Sequence, residues 1–221
     1  MTNTIVLEAA VATDAAALAQ LHADAFATER VTLLKSLDTS YVHADQMLPP
    51  ISHWIAAAPG VQLIKAVDAS SRALLGWACW RMEADALAAS TEPEPSPTEF
   101  DATPTGLGKF TGAHMGYWQR SLVPKLLAAT PRHRILISIT VAPEHQRRGV
   151  GAALLEWGLG DAPCWVHASE VGHKLFEAHG FQVEASLVLQ LDDWAQGAPP
   201  PSGHNTWGTT TFRYMIRPPK A

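Results

Sequence analysis

Gln146-Arg147-Arg148-Gly149-Val150-Gly151-Ala152 is the stretch of this chain best equipped to hold a charged ligand. Its two arginines offer forked donors that match phosphate oxygens. Its two glycines allow close backbone approach and turns that side chains forbid. Val150, Leu154 and Trp157 then recur at helical spacing, so a helix opens at once. A helix start leaves backbone N–H groups unpaired and carries partial positive charge. This combination predicts a pyrophosphate site. The loop has neither the Gly-Lys-Ser/Thr ending of a nucleotide-hydrolysing P-loop nor the glycine spacing of a dinucleotide fold.

Elements on either side must position that loop. The β-branched run Ile135 to Val141 reads as the strand that feeds it. Helix 149–159, strand Cys164 to Ala168, helix 169–179 and a strand near Val183 to Leu191 follow, with Gly180 closing the second helix in a left-handed conformation. A final strand runs from Thr209 to Ile216, after the Gly/Pro-rich loop Ala195 to Asn205. Upstream, Ile5 to Leu7 reads as a short strand. Thr13-Asp14 precedes a helix striped by Leu18, Leu21, Ala25 and Phe26, and 29–37 forms another short helix. Asp38 to Pro59 is mixed, punctuated by Pro49-Pro50. Val61 to Val67 and Ala73 to Met82 pair as a hairpin. Between them and the central strand lies an insertion at about 83–131. Glu92 to Glu99 is acidic and proline-rich, and Gly106 to Thr111 continues it with glycines. Trp118, Leu122 and Leu126 then predict a helix over His114 to Leu127, interrupted by Pro124. The insertion reads either as a lid over a substrate site or as a loop followed by one packing helix.

Composition narrows the partners. With 47% hydrophobic and 17% charged residues, the 221-residue chain is globular and long enough to bury a core. A net charge of −5 disfavours DNA or RNA as a partner. No apolar run reaches membrane-spanning length, and Met1-Thr-Asn-Thr carries no signal peptide, so the expected location is cytoplasmic. Cys79 and Cys164 are read as reduced, buried thiols. The histidines show no metal-ligand spacing, and no metal site is expected.

Gln146 to Gly151 resembles the acyl-CoA loop of the GNAT acetyltransferase superfamily, whose pattern is Gln/Arg-x-x-Gly-x-Gly/Ala. Val141-Ala-Pro143-Glu144 also fits that family's strand-to-loop junction. Ser169-Glu-Val-Gly-His-Lys-Leu-Phe-Glu-Ala-His-Gly-Phe181 is similar to the family's late helix, which typically closes with Tyr-Glu-x-x-Gly-Phe. The resemblance is tight from 135 to 181 and loose over 1–82. It implies an α/β fold: a twisted mixed sheet of six or seven strands flanked by helices, with central strands 135–141 and 164–168 splayed apart. One domain over 1–221 would carry the insertion.

The resemblance further implies that the pantetheine arm of acetyl-CoA lies in that gap against Ile139, Thr140 and Val141. Gln146, Arg147, Arg148, Gly149, Val150, Gly151 and Ala152 would hold the pyrophosphate. Ser169 would touch the arm, cap its helix, or both. An amine would attack the thioester directly, so a base must take its proton. Glutamate serves as that base in the family's ribosomal-protein alanine acetyltransferase branch, on a strand ending Leu-Glu-Val. Here the strand reads Val166-His167-Ala168, and a histidine near its usual pKa of about 6.5 suits the role. His114 is a rival if the insertion closes on the site, and His173 lies in the helix facing the thioester. The other histidines read as surface or packing residues. Phe176 stands where the family often has the tyrosine that protonates the departing thiolate. The expected activity is acetylation of a small-molecule or xenobiotic amine by a monomer or homodimer. The alternatives are a catalytically silent acyl-CoA-binding module and a protein N-acetyltransferase.

Overall fold

The computed structural model describes residues 4–83, 97–98, 101–127, 130 and 132–219. Alternating and continuous apolar runs form seven strands: β1 (Ile5–Ala9), β2 (Val61–Asp68), β3 (Leu74–Glu83), β4 (His133–Val141), β5 (Cys164–Ala168), β6 (Gln182–Gln190) and β7 (Thr209–Arg217). They join in one sheet of order β1-β2-β3-β4-β5-β7-β6. Every neighbouring pair is antiparallel except β4 and β5. The mixed sheet with splayed central strands expected from the resemblance is therefore present. Cys79 and Cys164 are buried free thiols, and burial pushes both up to about 12.

Helices cover both faces. On one, α1 (Ala15–Phe26) and α3 (His43–Ala56) pack Leu18 and Ile51 against Leu63, Trp77 and Cys79, with α2 (Arg30–Lys35) alongside. This face continues over β5 and β7 through the insertion. There α4 (Pro104–Tyr117), a π-turn (Trp118–Leu122) and α5 (Val123–Leu126) follow one another. Trp118, Val123 and Leu127 bury against Ile135, Trp165 and Tyr214. On the opposite face, α6 (Val150–Gly158) and α7 (His173–Ala178) pack Leu154, Leu155 and Phe176 on Leu136, Val166 and Met215.

Two elements depart from the sequence reading. The mixed stretch 38–59 contains a full helix, α3, with Pro49 and Pro50 inside it. Each proline forgoes one helical hydrogen bond, but Ile51 is fully buried and Trp54 packs on the same core. The glycines of 106–112 are helical rather than extended. Thr103 caps α4 by accepting from the Gly106 N–H at 3.0 Å, Pro104 occupies the first turn, and Leu107 is fully buried. Pro124 interrupts the helix as expected, and the π-turn before it absorbs the irregularity, with Val123 N–H donating to Trp118 C=O. Apart from Pro97 and Thr98, the acidic proline-rich stretch lies outside the described residues.

Candidate active site

β4 and β5 pair through Arg134↔Cys164, Ile135↔Trp165 and Leu136↔Val166, and then part. The parting coincides with a bulge. On the β3 side, Cys79 pairs with Ser138 and Trp80 with Leu136, which leaves Ile137 as the extra residue. A bulge bends its strand and raises local twist. From Ile137 to Val141, β4 has no strand partner on its β5 side among the described residues. Backbone groups along such an edge need partners from elsewhere. Ile139, Thr140 and Val141 all lie on this open segment. Thr140 adds a hydroxyl that is buried without a hydrogen-bond partner among the described residues.

The loop after β4 leads straight into α6. A short 3₁₀ turn, Pro143–His145, carries the chain away from the strand, and Gln146 donates through Nε2 to Val141 C=O at 3.2 Å. Arg147 and Gly149 both adopt left-handed backbones, with φ of 57° and 86°. Val150, buried, pins the start of α6, while Gln146, Arg147, Arg148 and Gly149 are exposed. No side chain caps α6. Its first N–H groups, at Val150, Gly151 and Ala152, are those a helix start leaves free. A Cβ at Gly149 would meet nothing of the protein within 4 Å, and its backbone angle favours glycine. A Cβ at Gly151 would meet Leu175 of α7 at 3.3 Å and Val141 of β4 at 3.6 Å, so Gly151 also serves the packing of α6.

His167 lies on β5 on the face covered by the insertion. Its ring stacks on Phe212 and Tyr214, both at 4.8 Å between centroids. Its Nε2 is buried without a hydrogen-bond partner among the described residues, as is Nε2 of His114 on α4. Burial first, and then the neighbouring His114, hold the His167 imidazole down at about 4. It is thus neutral at pH 7 and free to accept a proton. The insertion brings His114 to His167, so the rival base and the favoured one share a site. His114 is itself held low by burial, against a raising hydrogen bond that its ring N–H donates to the Pro97 carbonyl, and packs edge-on to Phe110 at 4.6 Å.

A cavity of about 200 Å³ opens beside this pair, lined among others by Glu29, Arg30, Ser169, Glu170 and Phe212. Phe212 is the ring stacked on His167, so the cavity and the histidine share a wall. Burial, and then Glu170, raise the Glu29 carboxyl. Arg30 is tied to the Trp207 and Thr209 carbonyls at 2.8 and 2.7 Å and lies 3.8 Å from Glu170. Glu29 had no local motif to mark it; only the meeting of the α1–α2 turn with the β5–α7 turn brings it to Glu170. A larger depression of about 490 Å³ beside Leu37, Pro104 and Gln196 contains no residue of β4, β5 or the glycine loop.

Ser169 lines the smaller cavity and also accepts from the Gly172 N–H through Oγ at 3.2 Å, which closes the turn leading into the shortened late helix. His173 turns Nδ1 onto Glu170 C=O at 2.6 Å. Phe176 is buried against Phe181, centroids 5.5 Å apart, within the apolar core. Among the described residues, no group of three or more His, Cys, Asp or Glu is placed to hold a metal ion, and no helix is long and apolar enough to cross a membrane.

Solved structures share this fold. The crystal structure of histone acetyltransferase HPA2 and related acetyltransferase from Corynebacterium glutamicum is similar at TM-score 0.54 and 16% identity, covering 100% of this chain and 98% of that one. Mosquito arylalkylamine N-acetyltransferase like 5b gives 0.57 and 15%, covering 97% and 99%. The Escherichia coli ribosomal-protein-S18-alanine N-acetyltransferase gives 0.50 and 13%, covering 99% and 96%. No curated protein sequence matches the chain. Residues 76–181 match the model of the acetyltransferase (GNAT) family.

Proposed function

We propose that this protein transfers an acetyl group from acetyl-CoA to the amine of a small molecule. The observation that carries this reading is the open edge of β4 from Ile137 to Val141, which runs directly into the uncapped start of α6. Ile139, Thr140 and Val141 would pair with the pantetheine arm. Arg147, Arg148 and the first N–H groups of α6, at Val150, Gly151 and Ala152, would face the pyrophosphate. Gln146 would brace the loop from below through its bond to β4, and Gly149 would supply the turn. Ser169, at the mouth of the cavity, would border the thioester.

His167 takes the proton from the attacking amine in this account. Held at about 4, its imidazole is neutral when the amine arrives, but it is a weaker base than the ordinary histidine near 6.5 that the sequence suggested. Glu29 and Glu170 bound the cavity next to it and favour a cationic acceptor. A small acceptor is favoured over a peptide because α4 and the π-turn pack over β5 and β7 and narrow the approach to His167.

The test has two stages. Calorimetry with CoA should show binding that Arg147→Ala and Arg148→Ala weaken, more at low salt than at high salt. Thiol release from acetyl-CoA should then depend on one or more members of a panel of small amines, with N-terminal peptides as the comparison. Binding without release for any amine or peptide would favour the silent acyl-CoA module instead.

A further inference from the structure

His22 of α1 joins Tyr41 and His43, at the start of α3, in a hydrogen-bonded chain on the face of the sheet that α1 covers. Tyr41 Oη lies 2.5 Å from His43 Nδ1, and His43 Nε2 lies 2.8 Å from His22 Nδ1. The rings are held in register. His22 stacks on Phe26 at 4.4 Å and on His43 at 4.9 Å, and tilts against Trp77 at 5.8 Å. His22 is 8% exposed, whereas Tyr41 and His43 are half-buried, so the chain runs outward from the core.

Its inner end packs against Trp77. The Trp77 indole donates to Leu18 C=O at 3.1 Å, which fixes α1 on β3. Trp77 pairs across the sheet with Thr140, whose hydroxyl has no partner among the described residues and which lies on the open segment of β4. One turn beyond Leu18 on α1 comes His22, and beyond Phe26 the chain enters the wall of the smaller cavity at Thr28 to Val31. Along the chain, His22 thus lies between Leu18, which Trp77 holds, and the cavity wall at Thr28 to Val31.

We propose that His22, His43 and Tyr41 form a proton relay that carries the surplus proton of an ammonium acceptor from the β4 face to solvent. This rests on the acetyltransferase reading. An alkylammonium must lose one proton before its nitrogen can attack. His22 Nε2 takes that proton from the ammonium nitrogen. The proton on His22 Nδ1 passes to His43 Nε2, that on His43 Nδ1 passes to the Tyr41 oxygen, and the original Tyr41 hydroxyl proton leaves to water. Every member is neutral before and after; only the tautomers of the two rings have changed. The reverse passage returns a proton from solvent to the departing thiolate and restores them. Phe176 has no hydroxyl for that task.

The surroundings favour passing a proton over storing it. Burial first, then His43 and Lys35, hold His22 down at about 3. Burial and Lys35 lower His43, and burial raises Tyr41. Lys35 on α2 is the charged group that bears on both rings, and it too is lowered by burial. A relay that shifts tautomers never needs to hold the charge this environment disfavours.

The test compares the parent with Tyr41→Phe and His43→Phe, using a basic amine accepted by the parent, from pH 6.5 to 9.5. At pH 7, kcat/KM should fall roughly 10²-fold, the low end for a positioned proton acceptor. The defect should shrink as pH rises and more acceptor arrives as free amine, while CoA affinity by calorimetry stays at the parent value. Imidazole ¹⁵N NMR of the Tyr41→Phe protein should show altered tautomer populations at both His43 and His22, although Tyr41 bonds only to His43. A defect of equal size at every pH, parent rates in the variants, or an unmoved His22 signal would overturn the relay. A parent that acetylates no amine would overturn the transferase reading and the relay with it.

Discussion

Gly149→Ala should destabilise the protein although nothing stands within 4 Å of the added methyl group. The backbone at Gly149 has φ of 86°, and a left-handed conformation costs an L-residue with a Cβ about 1–2 kcal/mol. At roughly 2–4 °C per kcal/mol for a chain of this size, the melting temperature should fall by roughly 2–8 °C. Gly149→Asn adds more atoms but should cost less, because asparagine tolerates this region and also caps helices. Gly151→Ala should be nearly neutral. The helix gains up to about 1 kcal/mol in propensity, set against a 3.3 Å approach to the flexible Leu175 side chain. Denaturant titrations of the three variants give the order, and calorimetry with CoA should show affinity lost in Gly149→Ala but retained in Gly149→Asn. If alanine and asparagine at 149 were equally harmless, or if damage followed side-chain size, the conformational reasoning would be wrong.

Three further outcomes follow from the site. His167 is held at about 4, below its ordinary value near 6.5, so the unfolded chain binds the extra proton first. Its contribution to stability is therefore present above about pH 6.5 and is lost as pH falls toward 4; His167→Gln should flatten that part of the denaturant-midpoint profile, and should lower kcat with CoA affinity intact. Trp118→Ala should cost about 3–5 kcal/mol, because Trp118 is buried and stacks on Tyr214 at 4.3 Å; a negligible loss by thermal melting would make the insertion a loose flap. Glu29→Gln should raise KM for cationic amines and leave neutral acceptors and CoA affinity unchanged, and steady-state kinetics at low and high salt would detect an error in either direction.

The parts legible in the sequence were those whose physics is local. β4, the glycine turn and α6 follow from a β-branched run, two glycines and a helical apolar stripe, all between Ile135 and Trp157. Gly180 ends the late helix with φ of 84°, and Phe181 N–H closes back on Phe176 C=O at 3.1 Å, as a left-handed helix end requires. Where tertiary burial outweighs propensity, the reading failed. Pro49-Pro50 looked like a boundary, yet Ile51 carries a helix through it. The glycines after Gly106 looked extended, yet the Thr103 cap and buried Leu107 make them helical. The acceptor side was least legible because its residues come from separate turns. Glu29 meets Glu170, His22 meets His43 and His114 meets His167 only once the sheet has formed. At Gly151 the sequence pointed to a ligand, and its approach to Leu175 was not legible, since spacing alone does not show which neighbour a missing Cβ faces.

The central claim is that the open edge of β4 receives the arm of acetyl-CoA. Amide hydrogen exchange of the full-length protein, with and without CoA, tests it most directly. The account predicts slowed exchange at Ile137 to Val141 and at Val150 to Ala152, with little change along the β1–β2 pair. Binding of CoA that leaves the amides of Ile137 to Val141 exchanging at their free rates would contradict it.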